Sequence, residues 1–486
     1  MSAHQGYRSA GSASAPGPRP SAGPGAVKRA GARFDRVLLT WFARITGQAL
    51  GPHQTAIVRI GFAGTWLFFL LRELPHRHEL YGPASPWSWA LAQRLVDGNE
   101  AFTVLLWTDS ALWFELVFLF AVLSSAALLL GWRTRTMSVF FMIGVLSLQN
   151  RSVFMGDGGD NVIHLMAMYL VFVRCGQVWS LDAHRARHRA GSGDADTTGL
   201  VLWCLTGAAL LVTTVLGLLS WGWVLLFWAL LAAHALRWYA RRFGTGEHRG
   251  LIDALAHLAH NAALLVIIAE VCLIYATAGW YKVQGSRWQD GTAVHYPMHL
   301  DYFAPWPALS DVLSGSALVV LLLSYGTVIV QVAFPFTLFN RRVKNVLLAL
   351  MIVEHASIAV ILGLPFFSLA MIAADAVFLP TAFLLWLGAR AAGLARSARR
   401  IPLPGRRTRP RPAGSGPYGA GDGVYGGRAA PGAEAGRASA AVPGPRGAED
   451  AGNVPGAPEG QRAARVPRGK DAPGAGGGDR SPADAG

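Results

Sequence analysis

Long apolar runs alternate with short polar connections along most of the chain, and each run is about as long as a bilayer is thick. A hydrocarbon layer of ~30 Å takes about 20 mostly apolar residues in a helix. On that measure the sequence predicts ten spans: 55–74, 111–130, 136–150, 160–175, 199–219, 221–240, 259–280, 312–336, 344–362 and 366–388. Two of them, 136–150 and 160–175, are short for a full crossing. Segment 34–50 instead gathers Phe34, Val37, Leu38, Trp41, Phe42 and Ile45 on one side. That is the pattern of an amphipathic helix lying in the interface. The fold class expected is therefore all-α, a polytopic membrane helix bundle of about ten transmembrane helices.

Composition sharpens this picture. The 486 residues are 52% hydrophobic and only 15% charged, against roughly 25% charged in soluble domains. The segments 1–33 and 401–486 are rich in Gly, Ala, Pro and Arg, so they have too little apolar area to offset ordering entropy and read as disordered tails. Neither reads as a secretory signal, because no apolar stretch with a cleavage site follows the first basic residues. The Ala/Gly/Arg bias is that of a GC-rich bacterial genome. Cys175, Cys204 and Cys272 fall in apolar segments without paired spacing, which gives neither a disulfide framework nor a metal cluster.

The net charge of +15 would fit a nucleic-acid partner only if it lay on one folded surface. Here it sits in tails and short loops, so no nucleic acid is expected and the partner is the lipid bilayer. With the N-terminus inside, Lys28, Arg29, Arg33 and Arg36 begin the inside segments. Arg133 and Arg135 follow, then Arg174, Arg185, Arg187 and Arg189, then Arg237, Arg241, Arg242 and Arg249, then Arg341, Arg342 and Lys344. The outside loops hold fewer and mix them with acids. Such an asymmetry orients a multi-pass protein of the cell membrane with both termini in the cytoplasm. The unusual loops 75–110, 150–160 and 281–311 then lie outside.

Three outer segments carry candidate chemistry. In the first, Tyr81-Gly82-Pro83 reads as a turn with Trp87 and Trp89 as interfacial anchors. His76 and His78 lack a third metal ligand. In the second, Gly156, Gly158 and Gly159 surround Asp157 and Asp160. One reading caps a helix at Asp160, and the other gathers Asp157, Asp160 and Asn161 around a polar pocket. In the third, Lys282 ends an apolar helix and is followed by Trp288, Asp290 and Gly291. A lysine on the outer side runs against the orientation rule. An amine taken out of water favours its neutral form, in which it can serve as a general base. His295 and His299 have zinc-like spacing, but Pro297 between them breaks the helix. Within the spans, Glu115, His164, His234, Glu270, Glu354, His355 and Asp375 are costly in lipid and should face the protein interior. Glu354 and His355 point about 100° apart on a helix, so only one of them need be functional.

The Arg77…Tyr81-Gly82-Pro83 loop, the MGDGGD turn at 155–160 and YATAGWYKVQGSRWQDG at 275–291 together resemble the horizontally transferred transmembrane (HTTM) domain family. That family is related to vitamin K-dependent γ-glutamyl carboxylase. The resemblance covers roughly 52–390. It implies that Lys282 corresponds to the lysine that deprotonates a reduced, vitamin K-type quinone, after which a carbon-bound proton of glutamate is removed and CO2 adds. It further implies that Asp160 and Asn161 act beside that lysine and that Trp280, Trp288, Asp157 and His355 bound the cofactor pocket. The chain departs from the family in three places. Segment 401–486 reads as a disordered inside tail where the carboxylase carries a large C-terminal domain, Gly159-Asp160-Asn161 stands where the carboxylase has Asn-Asn-His (so the histidine's part is missing or moved to His164), and 199–240 reads as an additional helical pair. Two other readings stay open: a non-enzymatic scaffold or maturation factor for an exported peptide or membrane protein, with Lys282 paired to Asp290 or Asp160, and a transporter using Glu270, His355 and Asp375.

Overall fold

Helix is the only regular structure among the described residues, 24–152, 154–189 and 197–400, of the computed structural model. The principal helices are α1 Pro24–Gly47, α2 Pro52–Glu73, α3 Ala111–Leu130, α4 Thr134–Gln149, α5 Gly158–Leu170 and α6 Thr197–Val215. They continue with α7 Trp221–Phe243, α8 Gly246–Gln284, α9 Ala317–Ala333, α10 Arg341–Ile361, α11 Pro365–Asp375 and α12 Thr381–Arg400. The tail at 401–486 and residues 1–23 lie outside the described residues. The helix over 34–50 begins earlier than expected, at Pro24, a residue suited to a first helical turn.

Apolar side chains cover the outside of this bundle. On α3, Leu112, Leu116, Leu119 and Leu123 are exposed, while Ala121, Ser124 and Ser125 are buried. Large apolar residues outward and small or hydroxylated ones inward is the arrangement of helices packed in lipid. Among the described residues, seven helices are long and apolar enough to cross a bilayer, or eight if a bent pair counts as one crossing. They match the expected spans except at two places. The spans at 136–150 and 160–175 fall on α4 and α5, which rise only about 24 and 20 Å at ~1.5 Å per residue. The span at 366–388 is not one helix. The chain bends by 119° between α11 and α12, because Pro380 forces Leu379 into extended backbone.

The core lies among α2, α3, α4, α5 and α11, with Phe62, Trp66, Phe141, Leu148 and Met166 fully buried. The pair α6 and α7 stands at the periphery, joined by a Trp203 Nε1 bond to the Leu231 carbonyl, 3.3 Å. α1 lies along α8: Asn261 Nδ2 donates to the Ile45 carbonyl at 2.8 Å. Its Val37, Leu38, Trp41 and Phe42 face outward, as an interfacial helix requires.

Candidate functional site

The AGWYK segment forms the last turns of α8, and a glycine decides what its lysine meets. A Cβ on Gly279 would lie 2.6 Å from Val332 Cγ2, so only glycine lets α8 and α9 approach this closely. One turn later, Lys282 Nζ donates to Gln331 Oε1 on α9 at 2.7 Å. The amide's other end, Gln331 Nε2, donates to Glu354 Oε1 on α10 at 2.6 Å. The Trp288 ring covers the amine at 5.3 Å. A neutral amide thus separates the lysine from the carboxylate. Gly279→Val is expected to push α8 from α9 and destabilise the protein by about 1–3 kcal/mol, read from thermal unfolding in detergent.

Two turns back on the same face, Tyr275 joins a second polar set. Its hydroxyl donates to Asp375 Oδ1 on α11 at 2.9 Å and lies 3.1 Å from His355 Nε2 on α10. A phenol has one proton, so with that proton on Asp375 the histidine must be the Nε2–H tautomer, donating to the Tyr275 oxygen. His355 Nδ1 and Asp375 Oδ2 are buried without partners among the described residues. Glu354 and His355 therefore both serve, one toward Gln331 and the other toward Tyr275. Their different directions on α10, which made a single role enough from the sequence, let one helix reach two neighbours.

The MGDGGD turn is a helix start. Asp157, not Asp160, is the N-cap: its Oδ1 accepts from the backbone N–H of Gly159 and Asp160 at 2.6 and 3.0 Å. Asp160 Oδ2 accepts from the Asp157 N–H at 3.0 Å, which completes a reciprocal capping box. The carboxylates of Asp157 and Asp160 are thus engaged in capping, and Asn161 is exposed. No hydrogen bond or ion pair joins Asp157, Asp160 or Asn161 to Lys282 among the described residues. The turn reaches the polar network through one side chain. A Cβ on Gly159 would meet Phe367 Cα at 2.6 Å, and the Phe367 ring lies 5.8 Å from that of His355. His164 turns to Gln149 instead, with Nδ1 3.0 Å from its Oε1.

The 75–110 loop closes on the 150–160 loop through Arg151, whose Nη1 donates to the Trp87 carbonyl at 2.9 Å. Tyr81 is buried beside them, and burial pushes its phenol well above the ordinary value. The third loop is tied to α9 instead, through Tyr325 Oη donating to the Gln289 carbonyl at 2.6 Å. Asp290 does not take Lys282 as a partner. It accepts from Thr292, which holds its carboxyl below the usual carboxylate range, and lies 3.6 Å from Arg287. Trp280 points away from the amine and is 65% exposed, so Trp288 alone supplies the expected aromatic wall. His78 pairs with Glu115 at 2.8 Å, as does Arg77. The described residues hold no group of three His, Cys, Asp or Glu that fits a metal ion.

Gln331 and Tyr275 were not singled out from the sequence, because neither carries a charge. Arg59 does carry a signal in the sequence, since an arginine inside an apolar run points to a buried role. No family profile, curated protein or solved structure matches the chain.

Proposed function

We propose that this is a carboxylase-like membrane enzyme of the HTTM type, in which Lys282 acts as the base toward a reduced quinone at the non-cytoplasmic face. The observation that carries this reading is the Lys282–Gln331–Glu354 chain. A lysine paired directly to a carboxylate is fixed as a cation. One held by a neutral amide under an indole ring can give up its proton and take one back. Polar side chains linked across three helices are costly in lipid, and such residues mark functional sites.

The residues fit a quinone in two respects. Trp288 offers a flat apolar wall beside the amine, and Trp280 and Tyr281 next to it are exposed toward the lipid from which such a molecule would enter. The quinol, oxidised by oxygen, would supply the strong base for proton removal from a glutamate side chain of an exported peptide or membrane protein. The protein's own part is narrower. Lys282 takes a hydroxyl proton, Gln331 orients the amine, and Glu354 fixes the amide by accepting from its Nε2. Tyr275, His355 and Asp375 form a rigid buried brace that fixes α8, α10 and α11 around the lysine. In the ten-span layout α4 and α5 also cross, against a locally thinned bilayer, and both termini are cytoplasmic.

The test uses the full chain in liposomes with a reduced naphthoquinone, oxygen, labelled bicarbonate and a glutamate-containing peptide. Quinol consumption coupled to label in the peptide is the expected result. Quinol stability equal to that in empty liposomes would remove the enzymatic reading and leave the scaffold.

A further inference from the structure

At the other end of α8 the charge problem is reversed. Asp253 and Lys282 share that helix, about 44 Å apart along its axis at ~1.5 Å per residue. A bilayer with its headgroup layers measures about 40–45 Å, so Asp253 sits at the headgroup level opposite Lys282. Around it stand Arg135 from the start of α4, Arg174 from the connection after α5, and Arg237 and Arg241 from the end of α7. Arg237 Nη1 lies 3.1 Å from Asp253 Oδ1. The Arg174 backbone N–H donates to His260 Nδ1 on α8 at 2.9 Å, which fixes that residue beside the same helix.

Arg135, Arg174 and Arg237 thus share the field of one carboxylate, Asp253, and each of the three also feels the like charge of Arg241. Arginines that merely orient a membrane protein are solvated. Two of these are not: Arg237 is 9% exposed, and its Nε together with Arg174 Nη1 is buried without a hydrogen-bond partner among the described residues. An unmade hydrogen bond of this kind costs about 1–3 kcal/mol, more for a charged group. Arg135 and Arg241 are exposed, so the cluster opens to the surface. An oxyanion with several acceptors would answer both the repulsion and the buried donors, and guanidinium forks match phosphate geometry.

We propose that Arg135, Arg174, Arg237 and Arg241 form a binding site for a phosphate oxyanion, carried by the headgroup of an anionic phospholipid at the membrane face opposite Lys282. Aliphatic stems and the apolar flank of α7 accompany the charges, which suits a lipid better than a soluble ion. Juxtamembrane basic residues contribute about 1 kcal/mol each toward anionic lipid, or about fivefold in affinity.

The test is the thermal midpoint of the full-length protein in neutral detergent, titrated with phosphatidylglycerol, with phosphatidylcholine and with inorganic phosphate. Phosphatidylglycerol is expected to raise the midpoint saturably and phosphatidylcholine to leave it unchanged. R135Q/R241Q alters the two members with exposed side chains and, with its lipid-free thermal midpoint serving as the check on folding, should weaken the apparent affinity by about 25-fold. D253N removes the competing carboxylate and should tighten it by about fivefold, a gain that misfolding cannot imitate. If millimolar phosphate alone reproduces the shift, the oxyanion site stands and its ligand is a free phosphate. No shift with either anion, or an R135Q/R241Q response equal to wild type, overturns the proposal.

Discussion

Lys282→Ala is expected to lower quinol turnover in liposomes by at least about a hundredfold while the protein still inserts and unfolds at a similar temperature. General bases contribute about 10²–10⁴ in rate, and among the described residues the amine makes one hydrogen bond, to the neutral amide of Gln331. Loss of stability should therefore be small beside loss of rate. Lys282→Arg keeps the cation and the reach to Gln331 but cannot lose a proton near neutral pH, so it should be as inactive as alanine. That pair separates a base from an ion-pair partner: a scaffold in which Lys282 serves only as a charge would tolerate arginine. Gln331→Leu should depress turnover less than Lys282→Ala, because it removes orientation and the link to Glu354 but leaves the amine. Full turnover in Lys282→Arg would end the base assignment.

The helices were legible because lipid imposes a length on them, and a run of some 20 apolar residues has few other uses. Where the outline failed, local chemistry had been outweighed by apolar count. Pro380 stands inside 366–388 and signals the extended Leu379 that turns the chain by 119°, yet it does nothing to the average hydropathy of the run. A cap at Asp160 was visible, but which aspartate caps depends on where backbone N–H groups begin to lack partners. The structure places that point at Gly158.

The polar network was legible only in part. Lys282, Glu354, His355 and Asp375 announce themselves as charges in apolar surroundings. Gln331 and Tyr275 do not, and they connect the others. Which faces of α8, α9, α10 and α11 meet is a matter of long-range packing that one sequence does not state. Gly279 was in plain view within AGWYK, but its function as the close-approach point beside Val332 needs the second helix. The expected pocket therefore joined Lys282 to the 157–161 turn, the nearest polar cluster in the sequence's own terms. The folded chain joins it to a glutamine instead.

Arg59→Leu should have the largest effect on stability. The side chain is fully buried in α2 and donates to four carbonyls: Leu128 and Leu129 at the end of α3, Cys175 at 3.2 Å and Trp179 at 2.7 Å. The last carbonyls of any helix lack partners within it, and in lipid no water replaces them. Arg59 caps α3 and ties the connection after α5 to it. Hydrogen bonds to a charged group contribute about 1.5–3 kcal/mol each, so even with strong non-additivity the loss should be at least about 3 kcal/mol, measured by denaturant or thermal unfolding in detergent. Arg59→Lys should recover little of it, since an ammonium lacks the planar fork that spans four acceptors. Arg77→Gln is the informative contrast. Arg77 holds the Glu115 carboxylate and the Leu74 carbonyl on a partly exposed surface, where an ion pair contributes about 0–1 kcal/mol. A loss at Arg59 no greater than that at Arg77 would mean that the α3 terminus is solvated, and that the face bearing the arginine cluster admits water more deeply than its burial indicates.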